Sequence, residues 1–384
     1  MALKACALWG RNIHRVRAAV LPCLPQVPAV PRAAGVASSS LQPSRTYSPA
    51  PALPAAPRQG SAAVHFLRQR IKDAVNPDLP VVQDSPEGDA AYAEFERLRG
   101  EAGIHSDGDN SSQVDALAAQ EAFGALQNAA KLGSLAAAVD FAQVLFAGQY
   151  GQSVNQQESS RWNRAAARMG SPVAQRRLAY AYNHGLGVPY DTEAARLWYA
   201  AAAGTGDAGA HYRAGVMLER GSGGDPDPAG AVQHYIAAGE HDHVGALFRL
   251  GSLLLAGQSV PRDVPTGVAA FTKAATLGHV RAAYNLGSMY GTGRSVRKCR
   301  TTAMQWYRVA CDLGSHSAAL HLHRMLAAQA AEEGGGRAQP HPGLAAESQA
   351  FLELAAERGN PHARRKLHRH RGGAAAGVRG GPQG

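Results

Sequence analysis

Small and apolar residues recur along this chain at the spacing of an α-helix, and the same block returns about every 36 residues. In one block, Ala195, Trp198 and Ala202 are three and four positions apart, which places them on one face of a helix. Gly206 closes the block, and glycine readily adopts the left-handed conformation that ends many helices. The pattern predicts a helix that packs through small side chains and stops at a glycine.

The closing position can be followed through most of the chain. At intervals of 37, 36, 36, 36, 36 and 45 residues it is occupied by Gly133, Gly170, Gly206, Asp242, Gly278, Gly314 and Gly359. Three of the four tryptophans, Trp162, Trp198 and Trp306, share one position of this register. Periods of this length are typical of solenoids, in which each unit buries its apolar face against its neighbours.

A second helical stripe starts four residues after each closing position, as in Ala174 and Leu178. It ends in a glycine-rich turn, of which Gly185, Gly187 and Val188 form one copy. A phosphate-binding loop is an alternative, but no strand precedes the turn and it lacks the lysine of a P-loop. Because the turn returns from unit to unit, we interpret it as a structural connection between two helices.

One order of residues recurs: Leu-Gly, a tyrosine, Gly-x-Gly-Val, an aspartate, Ala-x-x-Trp-Tyr, Ala-Ala and a final glycine. This order resembles the Sel-one-like repeat, a relative of the tetratricopeptide repeat. Tyr180–Gly206 is almost a consensus copy, and the resemblance covers about 122–367. It implies an all-α fold, a right-handed αα-solenoid of about six to seven helical hairpins, and a role as an adaptor that holds other proteins together.

We expect such a solenoid to form a concave groove that binds an extended peptide or a partner helix. The register predicts that this groove is lined by exposed residues of one helix in each unit. These are Gln175, His211, Arg213, Phe248, Arg249, Tyr284 and Asn285.

The first 72 residues contain no aspartate or glutamate, and arginines are scattered among alanine, serine and proline. This composition is typical of organellar transit peptides, and Arg45-Thr46-Tyr47-Ser48 resembles a mitochondrial processing site. We therefore expect a mitochondrial transit peptide over 1–47 and a location in the matrix. A chloroplast leader and a basic tail on a cytosolic protein are the alternatives.

The charge of the chain is concentrated at its ends. There are 39 lysines and arginines against 29 aspartates and glutamates, a net charge of +10. Six bases precede Ser48 and six lie from Arg364 onward, so the body between them is near −2 and predicts no general nucleic-acid surface. The basic tail is either a solvated cap or an RNA-binding segment. Its candidate residues are Arg364, Arg365, Lys366, Arg369 and Arg371.

The remaining boundaries follow from composition. We expect a linker with short amphipathic helices over 48–117, including a candidate helix at 64–75 that docks onto a partner or a repeat, with a membrane interface as the alternative. A second candidate helix at 91–98 lies in an acidic, glycine-containing stretch that we interpret as linker. The solenoid is expected over 118–368, with an insertion loop at 331–344 and a basic tail at 369–384.

No catalytic arrangement is evident. Cys299 and Cys311 remain after removal of the leader; a disulfide between them is one alternative, and packing of Cys311 at a small-residue position is the other. The 16 histidines lack the spacing of a helical zinc site, and His234 and His323 replace residues of the repeat core. We therefore predict a non-enzymatic protein with no cofactor and no metal.

The sequence favours a mitochondrial interaction scaffold or assembly factor, with protein partners in a multi-subunit complex. The alternative is an RNA- or mitoribosome-associated factor that uses the basic tail.

Overall fold

The computed structural model describes residues 80, 82, 85–101, 103, 116–333 and 341–368, and all the regular elements within them are helices. The expected leader at 1–47, the candidate helix at 64–75 and the tail at 369–384 lie outside the described residues. The helices are α1 Pro86–Glu101, α2 Ala116–Lys131, α3 Leu135–Ala147, α4 Gln156–Arg168, α5 Pro172–His184, α6 Thr192–Ala203, α7 Ala208–Arg220, α8 Pro228–Glu240, α9 Val244–Ala256, α10 Val264–Thr276, α11 Val280–Thr292, α12 Arg300–Asp312, α13 His316–Glu333, α14 Pro342–Glu357 and α15 at 361–368.

The described helices belong to two compact units, one ending at His241 and the other beginning at Asp242. In the first unit, consecutive helices pair as the hairpins α1/α2, α3/α4, α5/α6 and α7/α8. In the second unit they pair as α9/α10, α11/α12 and α13/α14, and α15 follows. This arrangement confirms the predicted all-α class of helical-hairpin repeats.

The period of the sequence is also the period of the helix N-caps. At the start of the first helix of each hairpin, a side chain accepts a hydrogen bond from the backbone N–H three residues on; the capping residues are Ser85, Ser134, Ser171, Asp207, His243, His279 and Ser315. The second helices are capped in the same way by Asn155, Asp191, Asp227 and Asp263. Cys299 occupies the next equivalent position and makes no such bond. Each cap satisfies a backbone N–H that the helix itself leaves unpaired, so it fixes where each helix begins.

The closing positions adopt the predicted left-handed conformation. Gly170 and Gly278, for example, both have φ of 93°. Asp242, which replaces glycine at this position, keeps a positive φ of 58°, and its Oδ1 lies 2.7 Å from Lys273 Nζ. The degenerate repeat therefore retains the turn despite its changed sequence.

A helix does lie at the candidate position 91–98, but two boundaries of the repeat region differ from those expected. The stretch interpreted as linker contains α1, whose Phe95 is only 1% exposed, and Tyr92 Oη donates a hydrogen bond of 2.6 Å to Asp140 Oδ2 on α3. The folded repeats therefore begin at Pro86 rather than at 118. Few residues of α1 are buried, so its sequence is dominated by the charged residues of its exposed side and resembles a linker.

The insertion loop is shorter than the predicted 331–344. Helix α13 continues to Glu333 and has 18 residues where α11 has 13, because its Ala-rich end contains no glycine to stop it. Helix α14 begins at Pro342, so both edges of the predicted loop are helical. Part of the 45-residue interval is therefore extra helix.

Candidate functional site

The candidate groove residues lie on the first helices of four hairpins, α5 and α7 in the first unit and α9 and α11 in the second. Counted from each N-cap residue, positions 3 and 7 are buried, as are Ala246 and Leu250 at 0% exposure. Because a helical turn takes 3.6 residues, positions 5 and 6 lie on the opposite side of the helix. Position 4 lies on the flank of the buried side. The candidate groove residues therefore face different directions around their helices.

Gln175 is buried, at 8% exposure, and the expectation that it lines an open groove is wrong. It occupies position 4 of α5, next to the packed side. Its amide Nε2 donates a hydrogen bond of 3.1 Å to the carbonyl oxygen of Ala167, which ties α5 to α4. Gln175 is a packing residue in this structure.

His211 also occupies position 4, and its Nδ1 lies 3.0 Å from Nδ1 of His234 on α8. One of the two nitrogens must donate and the other accept. At least one of the two imidazoles must therefore be neutral. Burial, and secondly the charge of His211, lowers the pKa of His234 to about 4. Burial is also the main cause that lowers the pKa of His211. The pair joins the two helices of one hairpin.

Position 5 is aromatic in three consecutive hairpins, as Tyr212, Phe248 and Tyr284, and all three side chains are half-buried. In the first unit, the Tyr212 ring packs on Tyr235 at 6.1 Å between centroids, and the exposed Arg213 lies over Tyr212 at 5.9 Å. An outward ring therefore rests on a buried ring.

In the second unit, Phe248 packs on Phe271 of α10, with ring centroids 5.4 Å apart and planes 19° apart. The same ring stacks on His279, the N-cap of α11, at 4.3 Å. Arg249 follows at position 6 and is half-buried. The contact between Phe248 and His279 connects the first helices of two neighbouring hairpins.

Tyr284 makes the corresponding contact one repeat later. Its ring lies 5.6 Å from that of Tyr307, and its Oη lies 3.1 Å from Nε2 of His321 on α13. His321 in turn stacks on Tyr307 at 5.2 Å with an angle of 12°. Asn285, the last groove candidate, is half-buried beside Tyr284. His279 and His321 were missed as part of this surface, because their contacts with Phe248 and Tyr284 form only between stacked hairpins.

The two units differ in charge. The described residues of 86–101 and 116–241 contain 11 lysines and arginines and 15 aspartates and glutamates. Those of 242–333 and 341–363, which leave out the tail bases from Arg364 onward, contain 11 and 8. The nearly neutral repeat body expected from the sequence is therefore the sum of an acidic first unit and a basic second unit.

The candidate residues of the basic tail differ in their surroundings. On α15, the Lys366 Nζ lies 2.7 Å from Nε2 of the buried His323, and Arg364 Nε donates to the carbonyl oxygen of Ala356. Arg365 is exposed. Ala363 is 0% exposed, so α15 is docked as a terminal cap. Arg369 and Arg371 lie outside the described residues, and a role of the tail in RNA binding stays a prediction.

Cys299 and Cys311 are both free thiols, so the disulfide alternative is wrong in this structure. Within the described ranges, no three side chains of histidine, cysteine, aspartate or glutamate form a group that could hold a metal ion. None of the helices in the described part of the chain is long and apolar enough to cross a membrane.

The outward aromatic positions, the recurring caps and the paired helices define a protein of the helical-hairpin repeat class. Comparison with protein families shows the Sel1 repeat at 172–207, 208–243, 244–279 and 280–315. Each match begins at the first helix of a hairpin, from α5 to α11. Residues 172–315 therefore consist of four Sel1 repeats, as the resemblance in the sequence predicted.

Two solved structures have the same fold. One is a protective antigen of uropathogenic Escherichia coli with an SLR fold, at 24% identity and a TM-score of 0.59, covering 73% of this chain and 56% of the antigen. The chain thus spans little more than half of that protein. The other is a Sel1 repeat protein of Oxalobacter formigenes, at 25% identity and a TM-score of 0.51, covering 69% of this chain and 98% of that one. No curated protein matches the sequence. Sel1 repeats generally mediate protein–protein interactions.

Proposed function

We propose that this protein is a mitochondrial interaction scaffold or assembly factor that binds a peptide or helix of its partner on the outward sides of its first helices. The observation that carries the proposal is the aromatic position 5, where Tyr212, Phe248 and Tyr284 remain half-buried although nearby positions are packed. Each of these rings is held against a second ring, so it is presented with little freedom to lose on binding. Rigid aromatic residues beside arginine are the typical anchors of protein interfaces.

The experiment compares partners of the full chain with those of a variant carrying Arg213→Ala, Arg249→Ala and Tyr284→Ala. Affinity purification from mitochondria with quantitative mass spectrometry measures the loss of each partner. The matched control carries Arg294→Ala, Arg297→Ala and Tyr190→Ala, three exposed residues outside the first helices. We expect the first variant alone to lose its partners. Unchanged partners in that variant contradict the assignment of the binding surface.

The mitochondrial location rests on the acid-poor, arginine-containing segment 1–47. Sequencing the N-terminus of the protein recovered from mitochondria is expected to show Ser48 as the first residue. A protein that starts at Met1 in cells contradicts the import of a cleaved precursor.

The second candidate function is binding of RNA or the mitoribosome, favoured by the basic second unit and by the exposed Arg365 on α15. Deletion of 369–384 combined with Arg365→Glu leaves the buried Ala363 and the contact of Lys366 with His323 in place. Loss of ultraviolet crosslinks to RNA in this variant supports the candidate. Partners that survive ribonuclease treatment in equal amounts oppose it.

A further inference from the structure

The outward side of the second unit carries positive charge without nearby negative charge on the same helices. Helices α9 and α11 contain Arg249 and Arg281 and no aspartate or glutamate. Helix α13 adds Arg324, which is exposed, and its only acidic residues, Glu332 and Glu333, lie at its C-terminal end. In the helical register, Arg281 and Arg324 occupy positions 2 and 9, on the same outward side as the aromatic position 5. We call the side formed by Phe248, Arg249, Arg281, Tyr284, His321 and Arg324 the aromatic–arginine face.

Burial and the nearby arginines lower the pKa of His321 in this face and of His279 beside it. Burial, and secondly the charge of Arg281, lowers the pKa of His279, and burial with Arg324 does the same for His321. Both imidazoles are therefore neutral at neutral pH, and no carboxylate is among the causes that act on them. The charge of the face comes from its arginines. The polar residues at positions 6 and 9 of α9 and α11 other than Arg249, namely Ser252, Asn285 and Ser288, are uncharged.

The positive charge of the face favours an anionic partner. Both an acidic polypeptide and RNA are anionic, and the arrangement of the rings favours the polypeptide. Binding of single-stranded RNA uses open ring faces on which bases stack. Here Phe248 is nearly parallel to both Phe271 and His279, and His321 is stacked on Tyr307. These rings are engaged by other rings of the protein and offer edges and half-buried surface. Such a surface offers apolar contact to a polypeptide but no open ring face for a base.

We propose that the aromatic–arginine face binds an acidic segment of the partner protein in an extended conformation, with its carboxylates paired to the exposed Arg281 and Arg324. This inference rests on the proposed function and specifies the chemistry of the partner. The ring contacts of 4.3 Å between Phe248 and His279 and 5.6 Å between Tyr284 and His321 show that consecutive first helices are neighbours. Neighbouring helices lie roughly 8–10 Å apart, and an extended chain advances about 3.3 Å per residue. Arg281 and Arg324 also differ by seven positions along their helices, about 10 Å of rise, so the favoured segment spaces its carboxylates by about three to four residues.

Fluorescence anisotropy with synthetic probes tests the proposal on the full chain. The first probe is a labelled peptide of about twelve residues with glutamate at every third position and alanine or leucine between. The second has glutamine in place of each glutamate, and the third is a labelled single-stranded RNA of similar length. We expect the glutamate peptide to bind, the glutamine peptide to bind at least about tenfold more weakly, and binding to weaken as salt is added.

Arg281→Glu with Arg324→Glu is expected to weaken binding of the glutamate peptide by about tenfold or more. The matched control is Arg294→Glu with Arg297→Glu, which makes the same change in net charge at two exposed loop residues between α11 and α12. Thermal melts of both variants show whether each is folded. Equal effects of the two variants, equal binding of the glutamine peptide or tighter binding of the RNA each overturn the proposal. If the peptide fails while partners are still lost from the alanine variant described above, the scaffold function stands and only the acidic specificity is rejected.

Discussion

The ring of Phe271 lies directly against the α-carbon of Gly251. A β-carbon on Gly251 would be 2.5 Å from Cδ1 of Phe271 and 2.9 Å from the carbonyl oxygen of Gly267. The same relation holds one repeat later, where a β-carbon on Gly287 would be 2.7 Å from Cδ1 of Tyr307. The glycine of the repeated Leu-Gly pair therefore leaves room for an aromatic ring, and we call this space the slot. Because Phe248 packs on Phe271, the depth of this slot also sets the position of the outward ring.

Gly251→Ala is expected to lower the free energy of unfolding by about 1–3 kcal/mol, since the added methyl group meets both a ring and backbone. Thermal and urea unfolding of the full chain measure the change. Gly124→Ala on α2 is the control, because its β-carbon would have nothing within 4 Å and alanine favours the helix by up to about 1 kcal/mol. Equal responses of the two variants would show that the slot is not tightly packed.

Asn163→Leu is expected to raise the free energy of unfolding by about 1 kcal/mol. Asn163 is 5% exposed; its Nδ2 donates to the carbonyl oxygen of Ser159, but its Oδ1 is buried without a hydrogen-bond partner. Replacing an unpaired buried polar group by an apolar one of the same size removes its desolvation cost. Chemical unfolding measures the gain. Asn163→Asp, which buries a carboxylate instead, should destabilise; a loss of stability in both variants would contradict this account.

His279→Ser is expected to reduce the loss of stability on acidification. His279 Nδ1 accepts a hydrogen bond of 3.1 Å from the backbone N–H of Ala282, and protonation turns this acceptor into a donor. The folded-state pKa is lowered, chiefly by burial, so the unfolded chain takes up the proton first. The contribution of His279 is therefore fully present above about pH 6.5 and is lost as the pH falls below it.

Serine keeps the cap and does not titrate. Melting temperatures at about pH 7.5 and about pH 5.5 should therefore differ less in the variant than in the parent protein. The other buried histidines titrate in both proteins and cancel in the comparison. An identical pH dependence would mean that the cap of α11 is not broken by protonation.

Cys299 is expected to react with iodoacetamide near neutral pH while Cys311 does not. Hydrogen bonds from Thr301 and Thr302 lower the pKa of the Cys299 thiol to about 7, whereas burial raises that of Cys311 to about 11. Alkylation requires the thiolate, so the two rates should differ strongly. Peptide mass spectrometry of the folded protein measures both. In Cys299→Ser the rapid alkylation should disappear, which checks that Cys299 is the reactive thiol. Recovery of a Cys299–Cys311 disulfide would contradict the finding that both thiols are free.

The composition of α1 does not show that this helix belongs to the folded repeats, because a helix that buries little more than Phe95 has the composition of a charged linker. Gln175 was misplaced for a related reason. The sequence shows a polar residue next to a packed position, but only the angle of position 4 around the helix decides that its amide is buried against Ala167. The same angle leaves position 5 outward, which is why Phe248 and Tyr284 could be anticipated.

The sequence by itself determined the hairpin unit, its length and its resemblance to the Sel1 repeat, because caps, closing glycines and small packing residues act within one repeat and recur at a fixed interval. The tertiary structure decided which side chains meet across repeats. Phe248 reaches His279, and Tyr284 reaches His321, only when neighbouring hairpins stack, so these contacts leave no local pattern in the chain. The opposite charges of the two units likewise became visible only when the fold divided the chain at Asp242, because in the sequence they cancel.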